Sequence, residues 1–230
     1  DGSKGSFFNI YGPKLVFGNE GLIANACTMS IYYSEPDRPF CECKLGGKIQ
    51  INGALGKYFL QSKYADQHLD IDAELSSAAN SGISMQCTGG AAYKPIKDSF
   101  VTNTIIRVLG DVSKFYGTFK IAGSGDGQWP VVFAMGSVPC PGKVQVYGTT
   151  NAFLRTATAS NDIQIASLEL RARSPLYPEI TLGSPTCGTV RVATELTVNK
   201  PVRVLPEVLD SGEWTFSPAH DYPLLTAPEN

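Results

Sequence analysis

A chain of 230 residues, 43% of them hydrophobic, is long enough to bury a sizeable core as one unit, and no apolar run reaches the roughly 18 residues that a membrane span needs. Its formal charge of −2 comes with basic residues spread along the chain rather than packed into an arm, which argues against nucleic-acid binding through a cationic tail. The opening Asp-Gly-Ser-Lys-Gly is neither a signal peptide nor a lipidation signal, so a soluble chain is expected, with its start set by cleavage or trimming.

From the amino end, Phe7 to Tyr11, Lys14 to Phe17 and Cys27 to Tyr33 are apolar runs divided by Gly12-Pro13, Gly18-Asn19 and the turn-rich Glu35 to Pro39. They predict an extended arm or short edge strands over residues 1–46. Lys48 to Asn52 and Lys57 to Gln61 read as strands. His68 to Asn80 is predicted as one short helix, because AELSSAAN has a helical composition even though Leu69, Ile71, Ala73 and Leu75 alternate as a strand would. Gly82 to Cys87 and Thr104 to Leu109 are again strands.

The most regular stretch begins at Phe115. Phe119 and Ile121, then Val131, Phe133 and Met135, then Val144 and Val146, then Ile163 and Ile165 place apolar side chains two residues apart, the period of a half-buried strand. Gly123-Ser124-Gly125-Asp126-Gly127 predicts a tight hairpin, and Pro139-Cys140-Pro141-Gly142 and Gly148-Thr149-Thr150-Asn151 predict turns. The apolar phase slips between Ile165 and Leu168, which predicts a bulge or bend within Asn161 to Arg173. Val190 to Val198 alternates strongly, Val202 and Val204 close the pattern, and residues 207–230 form a Pro-rich tail. No internal repeat or linker divides the chain. About eight strands after residue 80, with turn signals every eight to twelve residues, fit an all-β two-sheet sandwich, and length favours an eight-stranded jelly roll over residues 47–206.

Chemistry is sparse. The two histidines, His68 and His220, do not make a hydrolase triad, since Asp221 beside His220 in sequence is not thereby in orienting contact. Six cysteines (27, 41, 43, 87, 140 and 187) allow fifteen disulfide connectivities. Cys41 and Cys43, two apart on a strand, share a face and cannot easily bond to each other, so free thiols are expected. A zinc site from Cys27, Cys41, Cys43 and Cys87 lacks a second close pair, and the acidic set Asp66, Asp70, Asp72 and Glu74 lacks the Gly and terminal Glu of a calcium loop. No catalytic, cofactor or metal residue is assigned. Trp129, Tyr147 and Phe153 suggest either core or a sugar platform. Arg155, Arg171, Arg173, Arg191 and Arg203 lie among the strands, and Arg171 with Arg173, if they share a face, could meet a neighbouring carboxylate or a phosphate.

The succession KFYGTFKIAG, DGQWPVVFAMGSVPCPG, NDIQIASLELRARSPLYPE and CGTVRVATELTVNKPVRV, followed by the tail FSPAHDYPLLTAPEN, resembles the capsid jelly rolls of picorna-like plant viruses of the comovirus, nepovirus and cheravirus group over about residues 100 to 230. The resemblance implies a non-enzymatic coat protein, cut from a polyprotein and assembled with sister subunits into a pseudo-T=3 icosahedral shell around positive-sense RNA. It implies location in the virion, and in host cytoplasm during assembly. The partners would be other capsid subunits and genomic RNA in weak or shape-driven contact, with no membrane and no cofactor. In that reading Phe7, Phe8, Leu15, Val16 and Phe17 of the arm are buried by neighbouring subunits, and Arg171 and Arg173 are interface or RNA contacts. The alternative is a secreted or bacterial-surface β-sandwich adhesin or lectin that uses exposed aromatics and disulfides; a jelly-roll hydrolase lacks the histidines and ligands it would need.

Overall fold

Alternation at period two commits each strand to one apolar face, but it does not say which way the neighbouring strand runs. In the computed structural model, every strand pairing among the described residues is parallel. The described residues are 6–10, 12–25, 27–31, 41–60, 67–86, 104–122, 131–147, 152–156, 162–171, 176–177, 179–181, 188–199, 201, 207–209 and 225–228. The chain is an all-β parallel solenoid, and the predicted antiparallel jelly-roll sandwich is overturned.

The first four circuits each lay down three strands. They are β1 (Ser6–Ile10), β2 (Lys14–Val16) and β3 (Leu22–Ala24); β4 (Cys27–Ile31), β5 (Cys41–Gly46) and β6 (Lys48–Ile51); β7 (Ala54–Leu60), β8 (Gln67–Ile71) and β9 (Glu74–Ser77); and β10 (Gly82–Gln86), β11 (Thr104–Val108) and β12 (Lys114–Phe115). Then follow β13 (Thr118–Ala122), β14 (Val131–Met135), β15 (Cys140–Tyr147), β16 (Ala152–Thr156), β17 (Ile163–Leu170), β18 (Leu176–Tyr177), β19 (Glu179–Thr181), β20 (Val190–Val198), β21 (Glu207–Leu209) and β22 (Leu225–Thr226). The first strand of each circuit joins a nine-stranded sheet, β1-β4-β7-β10-β13-β15-β17-β20-β22. The second strands make a seven-stranded sheet, β18-β16-β14-β11-β8-β5-β2, and the third a four-stranded one, β12-β9-β6-β3, while β19 and β21 pair separately.

This topology corrects several expectations. Strands β13 and β14 flank the predicted hairpin yet belong to different sheets, so they do not pair; residues 123–127 themselves lie outside the described residues. Cys140, Pro141 and Gly142 open strand β15 rather than forming a turn. The sheet tolerates Pro141 there because the register shifts between Cys140 and Lys143, where no regular ladder bond is required of it. The helix predicted over His68 to Asn80 is two strands, β8 and β9. Leu69, Ile71, Ala73 and Leu75 are all fully buried, and that alternating burial outweighs a weak helical propensity. Of the two readings of residues 1–46, an extended arm or short edge strands, β1, β2 and β3 are edge strands of the nine-, seven- and four-stranded sheets. The strand continuity crosses Gly47, a corner between β5 and β6 with φ +91, where a Cβ would lie 2.0 Å from the Phe17 carbonyl oxygen. The expected slip in the long strand is present, as a register shift between Ile165 and Ser167.

The core is made of side chains stacked at equal register. On the nine-stranded sheet Ile83, Phe119, Val144 and Leu168 form one row, and Met85, Ile121, Val146 and Leu170 another. On the seven-stranded sheet the rows are Cys43, Leu69, Ile106, Phe133 and Leu154, and Leu45, Ile71, Val108 and Met135. All of these are buried in one hydrophobic cluster, each large side chain worth about 1.5–3 kcal/mol of transfer free energy.

The third sheet stops at β12, and the interior is closed there by aromatic packing. Phe115 stacks on Phe119 at 4.0 Å between ring centroids, and Phe119 meets Phe133 at 5.4 Å. The start of β15 moves into the corner: Lys143 N–H donates to the Gly117 carbonyl at 2.9 Å, and a Cβ on Gly142 would lie 2.4 Å from that same oxygen. Only glycine permits that approach.

The alternation yields a direct test. Phe119→Ala is expected to cost about 3–5 kcal/mol, whereas Lys120→Ala, one residue on and facing outward, should cost no more than about 1 kcal/mol. Urea denaturation followed by circular dichroism separates the two, and equal losses would put these strands in the wrong phase.

Candidate binding face

The residues that first suggested chemistry are dispersed by the fold. Cys43 and Cys140 are buried free thiols, their Sγ atoms 3.4 Å from the Gly12 carbonyl and 3.6 Å from the Phe115 carbonyl. Burial pushes both up to about 11, with the Asp70 charge adding to the effect at Cys43 and a backbone hydrogen bond from Gly142 opposing it at Cys140. Thiols of this kind are poor nucleophiles and poor metal ligands. Cys27 and Cys41 stand on β4 and β5, and Cys87 and Cys187 lie outside the described residues. Among the described residues no group of three His, Cys, Asp or Glu could hold a metal ion.

The acidic set is spread among ion pairs. Asp70 is 4% exposed and takes two hydrogen bonds from Arg107, Nε to Oδ1 at 2.6 Å and Nη2 to Oδ2 at 2.8 Å. Glu74 meets Lys114 at 3.1 Å, Asp72 is exposed, and Asp66 lies outside the described residues. His68 is on β8, in register with Glu42 and Ile105, and His220 is outside.

Of the arm residues, Leu15 and Phe17 pack, partly buried, against the chain's own core, while Val16 is exposed. Phe7 and Phe8 stand opposite Thr28 and Met29 on β4, and their side chains lie outside the described residues. Arg191 is held by Asp162 at 2.7 Å. The side chains of Arg155 and Phe153 on β16 lie outside the described residues, as do Trp129, Arg173 and Arg203 entirely.

Two of the singled-out residues do come together. Parallel register on the outer face of β13, β15 and β17 sets Lys120 opposite Gln145 and Gln145 opposite Glu169, while Thr118, Lys143 and Ser167 form the adjacent row. Tyr147 stands at the end of β15, 41% exposed, with Lys120 on one neighbouring strand and Arg171 just beyond the other. The Lys120 ammonium lies 4.6 Å from the Tyr147 ring centroid and the Arg171 guanidinium carbon 5.5 Å, both within cation–π range. Tyr147 is therefore neither core nor an open sugar platform, because cations approach it from both flanking strands.

Glu169 ties this face together. The residue is 5% exposed, and its carboxylate accepts from Lys143 Nζ at 2.5 Å, from Gln145 Nε2 at 2.9 Å and from Arg171 Nε. Burial by itself pushes the carboxyl up, but the hydrogen bonds from Lys143, Arg171 and Gln145, with the Lys143 charge, prevail and hold it at about 2 against an ordinary 4.5. Lys120, Lys143 and Glu169 were not marked by any motif. The signal available was positional: Lys120, Gln145 and Glu169 each follow the inward Phe119, Val144 and Leu168 by one residue. No family model, curated protein or solved structure matches this chain.

A carboxylate held below its unfolded value stabilises the fold above that value and ceases to do so as it protonates. The Glu169 contribution is thus complete above pH 4.5 and lost as pH falls from there toward about 2. Glu169→Gln should flatten the fall of the thermal midpoint across that window. Circular dichroism melts at stepped pH measure it, and parallel curves for the two proteins would show that Glu169 carries no such linkage.

Proposed function

We propose that this chain is a non-catalytic solenoid segment of a surface binding protein, with the outward face of the nine-stranded sheet as its working surface. The observation that carries the reading is the connected network on β13, β15 and β17, in which a nearly buried carboxylate fixes two cations and an exposed tyrosine is flanked by two. A strand face that merely meets solvent has no need to desolvate a charge, which is costly unless paired. A solenoid also offers such a face as a ruler, with side chains recurring at about 4.8 Å from strand to strand. That geometry suits a polymeric ligand lying along the solenoid axis.

The coat-protein expectation drew its support from strand order in an antiparallel jelly roll, and that support falls with the fold. In the solenoid the same segments are divided among three sheets, β13, the start of β15, β17 and β20 in the nine-stranded one, β14 and β18 in the seven-stranded one and β12 in the four-stranded one. The adhesin or lectin alternative keeps its functional content while losing its sandwich.

The test is capture of the whole chain on an array of immobilised glycans. Retention by at least one glycan class is expected, abolished by Ser167→Trp, which adds bulk in the middle of the face, and preserved in Ser76→Trp on the outer side of the four-stranded sheet. Failure to bind any glycan, or equal loss in both variants, would overturn the reading.

A further inference from the structure

We infer that the end of the solenoid formed by β1, β2 and β3 is a two-fold interface, on which a second copy of this chain stacks end to end with β2 antiparallel to β2. The binding face lies on the flank of the solenoid, so the two readings stand or fall separately.

Three edges open at one end. Among the described residues β1, β2 and β3 are each paired on one side only, with β4, β6 and β5 as their respective sheets dictate, and they terminate the nine-, seven- and four-stranded sheets together. A free strand edge carries a row of backbone N–H and C=O groups that another strand satisfies in series. The core reaches that end incompletely covered as well. Leu15 continues the row of Leu45 and Ile71, and Leu22 the row of Ile49 and Leu75; the inner members are fully buried, whereas Leu15 and Leu22 are only partly so, as is Phe17. Val16 and Ile23 beside them are 54% and 58% exposed. Repeat folds need polar capping circuits at a solvated end, and this circuit presents apolar side chains instead. Ile10 and Ala24 of the same circuit are already buried, so the opening is centred on β2 and the start of β3.

The occupant follows from the two ends of the molecule. At the far end the four-stranded sheet has already stopped at β12, and the strands that terminate the other two sheets, β22 and β18, are two residues each. A head-to-tail stack would set three edges against two. An end of the same kind offers three, and a two-fold axis supplies it, since such an interface is self-complementary. With that axis through Leu15, β2 runs antiparallel to its counterpart, Lys14 lies opposite Val16 of the second copy, and β3 faces β1 of the second copy. The corner between β2 and β3 then comes over the start of β2. That corner carries Glu20 and that start carries Lys14, both exposed and neither in an ion pair among the described residues. Within its own chain Lys14 stands opposite another lysine, Lys44. The two-fold thus makes two Lys14–Glu20 pairs from charges that a single copy leaves apart.

Sedimentation equilibrium of the whole chain over a wide range of concentration tests this. A reversible species of twice the 24.7 kDa chain mass is expected. Val16→Lys sets a lysine opposite Lys14 of the second copy, and Glu20→Lys turns both pairs repulsive; each should weaken dimerisation about tenfold. Combining Lys14→Glu with Glu20→Lys should restore it, while Thr226→Lys on β22, at the far end, leaves it unchanged, and circular dichroism confirms that every variant is folded. A monomer at all concentrations, or a dimer indifferent to Val16→Lys, would overturn the inference. Failure of the double exchange to restore the dimer would overturn the Lys14–Glu20 pairing and the axis with it. Oligomers larger than two that Thr226→Lys disperses would overturn the two-fold in favour of head-to-tail stacking.

Discussion

Side chains of like phase stand directly above one another from circuit to circuit, and the rest of the structure follows from that stacking. In an antiparallel sandwich two separate faces meet across a gap and interdigitate. In this solenoid the inward rows, such as Ile83, Phe119, Val144 and Leu168, run along the axis, and each side chain contacts its own counterpart one circuit away. Each circuit then depends mainly on its neighbours, and the core can lengthen without widening. The cost is that every inward position must be apolar and of tolerable volume, because an error at one circuit is felt by the two that pack on it. The four rows described above obey this, their members being Ile, Leu, Val, Met and Phe with Cys43 as the small exception, whereas on the four-stranded sheet the row of Ala24 and Ile51 ends on the buried Ser77.

The place where the rule is broken shows how tightly it is kept elsewhere. When the third sheet ends at Phe115, the interior loses a wall. Phe115 closes the gap by stacking on Phe119, and Cys140 and Gly142 bring β15 against the same corner. The buried Ser77 hydroxyl accepts from the Gly117 N–H at 2.8 Å, so the backbone that turns away from the lost sheet is not left unsatisfied. Two glycines, two phenylalanines and one serine replace a whole strand's contribution.

Much of the local structure was legible in the sequence. The strands around Phe119, Phe133, Val144 and Val190 stand where alternation put them, and the slipped phase after Ile165 is a true register shift. The fold was not legible, because alternation is silent about strand direction. Gly-Ser-Gly-Asp-Gly has the composition of a hairpin, yet the strands on either side of it belong to different sheets. Nor was the repeat visible: Ile83, Phe119, Val144 and Leu168 occupy one row, but the lengths of chain between them differ and no motif recurs. The site suffered the same blindness. Tyr147 and Arg171 were noticed separately, while Lys120, Lys143 and Glu169 acquire meaning only once parallel register places them beside those two.

The two faces of the nine-stranded sheet are chemically independent even though they share a backbone. Phe119, Val144 and Leu168 answer to packing, while Lys120, Gln145 and Glu169, one residue later on each strand, answer to whatever lies outside. Glu169 is where that independence is restrained, for a carboxylate drawn to 5% exposure is stable only if its donors stay in place. Lys143 and Arg171 are consequently fixed to the scaffold rather than waving above it, and Tyr147 extends the fixation to Lys120. The seven-stranded sheet uses the same device once more, with Asp70 clamped by Arg107. There, one carboxylate takes two hydrogen bonds from a single guanidinium. On β13, β15 and β17 two cations hold one carboxylate and a third cation lies over the Tyr147 ring, so the ordering of charge extends across three strands.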